Sequence, residues 1–127
     1  MAIKTTAQNL SVVLEKMLSE YTDEVRRGVK KDVHDVAIEC RDEIKKKSPV
    51  DTGKYRAGWS TRTAFESFDD IRMEVYNRSK PYLTHLLENG HAKVNGGRVS
   101  GRPHIRPAGE HAEEELERRV KITVKAG

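Results

Sequence analysis

The chain is poor in several things at once. It has one cysteine, seven aromatic residues and four prolines in 127 residues. No apolar run approaches the roughly 18 residues that a bilayer span needs. A lone cysteine, Cys40, cannot close an internal disulfide, so no disulfide framework is expected. Met1–Leu10 lacks the apolar core of a signal peptide, which points to a protein made and kept in a cytoplasm, with no membrane partner. There is no HExxH motif, no paired-cysteine spacing and no recognisable nucleophile–base pair, so neither a hydrolase, a metal site nor a cofactor is expected.

Hydrophobic and charged residues each make up 35% of the chain. The length fits a single domain over residues 1–127, with a small core. A small core points to stability drawn from neighbouring subunits, since a partner that binds only the folded state stabilises it. The formal net charge is +4, from 24 basic and 20 acidic residues, so most charge is balanced locally.

Over residues 4–47 apolar positions recur at Leu10, Leu14, Leu18, Tyr21, Val25, Val29, Val33, Val36, Cys40 and Ile44. Steps of three or four are the helical period, and they predict one very long helix or a broken pair. The remaining faces mix both signs of charge, which is a solvated surface and not a nucleic-acid stripe. About 40 helical residues would span about 60 Å, against a radius of gyration near 14 Å for a compact chain of this size. Either the helix breaks, with Gly28 as the hinge, or its stripe packs on another subunit through Leu14, Leu18, Tyr21, Val25 and Val29. Lys45–Lys47 suit a helix C-terminus, and Pro49 ends the helix.

Alternation from Tyr55 to Phe65 and from Ile71 to Val75 predicts an antiparallel hairpin with Glu66–Asp70 as its turn. Pro81 fits the first turn of a short helix ending near Glu88, with Asn89-Gly90 as its left-handed cap. Residues 91–103 read as a Gly/Arg-rich flexible loop. Pro107 opens a last helix whose acids precede its bases, in the order the helix dipole favours. The fold class is α+β: a long N-terminal helix and a C-terminal helix packed on a small antiparallel sheet.

Three segments recur as turns and fastenings. Asp51-Thr52-Gly53 matches an aspartic-protease triplet, but it follows the helix-ending Pro49, where Asp and Gly are ordinary turn residues. Trp59 and Tyr82 read as core anchors, not as stacking platforms. The histidines read as surface or interface groups, and Cys40 as a buried small hydrophobe. The loop carries Lys93, Arg98, Arg102 and Arg106 with no acid between them. Such a loop can meet phosphates without reading base sequence, or pair with acids on a protein partner.

Taken in order, these motifs resemble a family. Ser48-Pro49-Val50-Asp51-Thr52-Gly53 leads into a strand, Val75-Tyr76-Asn77 precedes Pro81-Tyr82…Leu87-Glu88-Asn89-Gly90, and Arg102-Pro103-His104-Ile105-Arg106-Pro107-Ala108 opens the final helix. This order is similar to that of the tail-completion, or head–tail joining, proteins of long-tailed double-stranded DNA bacteriophages and prophages. A glutamate-glycine-threonine is typical after the short helix; Glu88-Asn89-Gly90-His91 departs from it. The resemblance implies a non-enzymatic virion part assembled in the host cytoplasm, which ends the tail or joins it to the head. It implies a homo-oligomeric ring, usually hexameric, with tail-tube and head-connector proteins as partners and the tail DNA in its lumen. Pro49, Asp51, Thr52, Gly53, Trp59, Pro81, Tyr82, Glu88, Gly90, Pro103 and Pro107 would then be structural. A small DNA-binding protein using the same basic loop is the alternative.

Overall fold

A computed structural model describes residues 2–5, 9–14, 17–50 and 53–127, with side chains from Leu18 onward outside the same gap. The chain begins with two strands, β1 (Ala2–Thr5) and β2 (Asn9–Leu14). Helix α1 (Asp23–Lys47) follows a 3-10 turn at Met17–Glu20. A single helical turn, α2 (Lys54–Ala57), leads into β3 (Trp59–Glu66) and β4 (Ile71–Asn77). Another 3-10 turn at Pro81–Leu83 opens α3 (Thr84–Asn89). A small hairpin of β5 (Gly90–Ala92) and β6 (Arg98–Ser100) precedes the long α4 (Arg106–Ala126). The fold is α+β, with α1 and α4 against an antiparallel sheet of order β1-β2-β4-β3.

The helix expected from residue 4 therefore starts at Asp23. Residues 9–14 form a strand in register with β4, Leu10 facing Val75 and Leu14 facing Ile71. Asn-Leu-Ser-Val-Val-Leu fits a strand better than a helix, because its adjacent β-branched valines lose rotamer freedom in a helix. The start of α1 is marked by Thr22, whose hydroxyl accepts from the Val25 N–H at 3.3 Å. Asp23 and Glu24 then lie in the first turn and Lys45–Lys47 in the last, each sign at the dipole end that favours it. Arg26 braces the entry: it is buried, donates to the carbonyls of Leu18 and Tyr21 at 3.0 and 2.7 Å, and lies over the Phe68 ring at 3.8 Å.

At 25 residues α1 runs about 37 Å and does not overhang the domain. It does not break at Gly28. That glycine lies where α4 crosses closely, since a Cβ there would stand 2.8 Å from the Thr123 methyl. Next to it Thr123 donates to Asp32 at 2.6 Å. The two helices run antiparallel, with Gly28 opposite Thr123 and the Cys40 thiol donating to the Ala108 carbonyl at 3.7 Å.

The apolar stripe of α1 is consumed within this subunit. Leu18, Val25, Val29, Val33, Val36, Cys40 and Ile44 all lie in its own core, with Ile71, Met73 and Val75 from β4 and Leu116 and Val120 from α4. Leu18, Val25 and Val29 are thus not free to meet a neighbour, as the sequence had suggested, and Tyr21 packs partly buried against the same core. The Leu14 side chain lies outside the described residues. Burial of Cys40, with Glu43 adding to it, pushes its thiol up to about 12, which leaves it unreactive at neutral pH.

The expected strand start at Tyr55 is also displaced. Gly53 takes φ +88°, and the Ala57 N–H then closes a helical turn on its carbonyl at 3.0 Å. Tyr55 is buried inside that turn, and β3 begins only at Trp59. Asp51 and Thr52, expected in the turn before it, lie outside the described residues. The Gly/Arg segment, expected as a loop, forms the β5–β6 hairpin, because Gly96 and Gly97 supply the two positive φ values its turn requires.

Candidate functional site

Three strictly local decisions create one buried polar cluster. Pro81 opens the 3-10 turn and α3, and Gly90 closes α3 at φ +79°. A Cβ on Gly90 would lie 2.3 Å from the Val99 carbonyl oxygen, so only glycine lets β5 lie this close to β6. With its end fixed so, α3 turns Glu88 inward toward the start of α4. Pro107 lies in the first turn of α4, where its missing N–H costs nothing.

Glu88 then caps α4 across 16 to 18 residues of sequence. Oε1 accepts from the backbone N–H groups of His104 and Ile105 at 2.8 and 2.9 Å, and Oε2 from that of Arg106 at 3.0 Å. Ile105 has no capping side chain of its own, so the distant carboxylate satisfies donors that the helix leaves open. Burial alone would push the Glu88 carboxyl up. The three backbone donors, with His104 close by, outweigh it and hold the group below its ordinary 4.5.

His104 is fully buried and not a surface group. Its Nδ1 lies 2.8 Å from the Arg102 carbonyl, which can only accept, so Nδ1 carries the proton. Nδ1 also lies 3.1 Å from Glu88 Oε1. Nε2 is left to accept from the Tyr55 hydroxyl at 2.7 Å. Burial, with the Glu88 charge adding to it, drives the Tyr55 phenol well above its ordinary value. Trp59 completes the cluster, with edge-on ring contacts to Tyr55 and His104 at 5.7 and 6.2 Å. Asn77, buried at the end of β4, donates to the Tyr55 carbonyl at 2.6 Å and accepts from the Ser79 and Lys80 N–H groups at 3.1 and 2.8 Å. Apart from the bond between Tyr55 and His104, every hydrogen bond here has a backbone group at one end.

The cluster roots the β5–β6 hairpin. The Arg102 N–H donates to the Leu87 carbonyl at 2.8 Å, and Arg98 reaches the Asn89 carbonyl at 2.8 Å. Beyond this base every residue from His91 to Ser100 is exposed. Val94, at the tip, is fully open to solvent. Lys93, Arg98, Arg102 and Arg106 all lie on the surface around the hairpin and its base, with Pro103 exposed between the last two. Tyr82, expected as a core anchor, is 60% exposed. It sits in the 3-10 turn that Pro81 opens.

A second surface has the opposite character. Between α1 and α4 runs a groove of about 440 Å³, floored by Val36, Cys40, Ala108 and Ala112. Four carboxylates (Glu39, Glu43, Glu114 and Glu115) line it against one guanidinium, Arg118, with His111 beside them. Hydrogen bonds from Arg118 and Arg119 bring the Glu115 carboxyl down to about 2, so it is charged at any physiological pH. His111 Nδ1 lies 2.9 Å from Glu43, and Arg119 Nη2 donates to Glu39 at 2.8 Å. Among the described residues no three His, Cys, Asp or Glu side chains converge as a metal site, and no helix is long and apolar enough to cross a membrane.

The sequence had assigned Glu88, Gly90 and Pro107 to architecture, and the structure brings them together. It had not foreseen Tyr55 and His104 as partners, since they are separated by 49 residues. Their only advance signal is that both flank turn motifs.

A scaffold that spends its buried polar groups on bracing a projecting hairpin has the build of a structural component. The chain belongs to the HK97-gp10-like family: residues 13–90, more than half of it, match the family model described as "Bacteriophage HK97-gp10, putative tail-component". It is a phage tail-related structural component. No curated protein and no solved structure matches it.

Proposed function

We propose that the chain completes the phage tail, ending the tube or joining it to the head, as one subunit of a homo-oligomeric ring in the virion. The observation that carries this reading is the rigidly rooted hairpin. Glu88, His104 and Tyr55 fix its base, while His91–Ser100 lie wholly exposed. A two-stranded ribbon without a packing partner is marginal in water, so such a ribbon on a braced base is built to be completed by another molecule. The partners are further copies of the chain, the tail tube and the head connector, with the tail DNA passing through the lumen. The role is assembly and not catalysis, since Glu88 and Asn77 are committed to backbone and the Tyr55 hydroxyl to His104.

The test is removal of the coding sequence from the producing phage, followed by electron microscopy of the lysate. The expected result is filled heads and separate tails, or tails of uncontrolled length. Normal yields of joined particles would contradict the proposal.

A further inference from the structure

The hairpin is basic and exposed, while the groove is rimmed by acids, three of which already meet bases of their own subunit: Glu39 with Arg119, Glu115 with Arg118 and Arg119, and Glu43 with Lys47 and His111. From Gly90 to Arg106 the chain carries Lys93, Arg98, Arg102 and Arg106 and no acid. The groove between α1 and α4 carries a surplus of carboxylates over an apolar floor. The hairpin also bears exposed apolar side chains, Val94 at its tip and Val99 on β6. None of its residues lines the groove of its own subunit.

We propose that the β5–β6 hairpin of one copy docks into the α1–α4 groove of the next, and that this is the contact that closes the ring. The inference rests on the ring proposed above and names the surfaces that build it. Val94 meets the slightly exposed edges of Cys40 and Ala112, while Lys93 meets Glu114 and Arg98 joins Arg119 at Glu39. Surfaces of opposite sign steer the encounter and exclude wrong registers. Because the two surfaces differ, the contact is heterologous, and repeated head to tail it gives a ring when its rotation closes. The same subunit offers both halves, so no second protein is needed. The exposed Val94 and Val99 contribute the burial, and the charged walls set which surface is accepted.

The test exchanges the charges. One variant carries Lys93→Glu and Arg98→Glu; the other carries Glu39→Lys and Glu114→Lys. All four residues lie on the surface, and circular dichroism checks that each variant is folded. Mass photometry then compares each variant alone, the equimolar mixture and the wild type. The expected result is a ring from the wild type and association at least about tenfold weaker from either variant alone. The mixture should restore rings of alternating composition, because the reversed hairpin of one variant fits the reversed groove of the other. A misfolded variant could not be rescued in this way.

Three results would overturn the proposal. If both variants form rings as well as the wild type, the ring stands and this contact is wrong. If the wild type is monomeric at every concentration, both alone and with purified tail tubes, the ring itself falls and the contact with it. If Lys93→Glu/Arg98→Glu assembles normally but loses salt-dependent binding to duplex DNA, the hairpin serves DNA and not the neighbouring subunit.

Discussion

Glu88→Ala should lower the stability of the folded chain by about 3 kcal/mol, the cost of leaving several buried N–H donors without an acceptor. The donors of His104, Ile105 and Arg106 all face this one carboxylate, and His104 and Ile105 are buried. No local side chain can replace it, because Ile105 stands at the cap position of α4. Glu88→Gln keeps one acceptor oxygen but turns an amide NH2 toward the same donors. Its cost should be about 1–2 kcal/mol. Chemical denaturation at neutral pH measures both.

The pH dependence gives a second readout. The carboxyl is held below its ordinary 4.5 in the folded chain. Its contribution is therefore fully present above that value and is lost as the pH falls through the lower folded value. The stability gap between the wild type and Glu88→Gln should accordingly be widest near neutral pH and close as the pH falls below about 4. A gap that stays constant down to pH 3 would show that the carboxylate charge plays no part in holding α4.

Trp59→Ala is expected to have the larger effect. Trp59 is 2% exposed, and it joins the first residue of β3 to the Tyr55 and His104 rings. Truncation removes the largest side chain in the core and leaves a cavity beside a polar cluster. The cost should be about 3–5 kcal/mol, a large share of the roughly 5–15 kcal/mol that a domain of this kind possesses. Trp59→Phe retains an edge-on ring and should cost less than half as much. Thermal unfolding followed by circular dichroism separates them, and equal midpoints for Trp59→Ala and the wild type would remove Trp59 from the account of the core.

Regular and strongly periodic elements were legible from the residues alone. The α1 stripe from Val25 to Ile44, the alternation of β4 and the Pro-opened α4 appear where their patterns place them, since each pattern reflects burial on one face. The start of α1 was not legible. Leu10, Leu14 and Leu18 are spaced by four, so the helical period continues across β2, and the adjacent valines and the pairing with β4 decide against it. The hairpin was hidden for a similar reason: strands of three residues, Gly-His-Ala and Arg-Val-Ser, are too short to show alternation. The cluster of Glu88, His104, Tyr55 and Trp59 could not be assembled from spacing, because its members come from three stretches far apart in sequence. Each had a separate reading in its own neighbourhood: Glu88 a helix end, Tyr55 a strand start, Trp59 a core anchor and His104 a surface group. The same tertiary packing that united them also turned the stripe of Leu18, Val25 and Val29 inward.

The central claim is that this tail component works as a ring of identical subunits. The most direct measurement is the mass of the purified wild-type chain in solution across a concentration series, by light scattering after size exclusion. The account predicts a closed species near a hexamer of the 14.4 kDa chain, or a concentration-driven rise that stops there. A species that remains at 14.4 kDa at every concentration, both alone and with purified tail tubes, would contradict it.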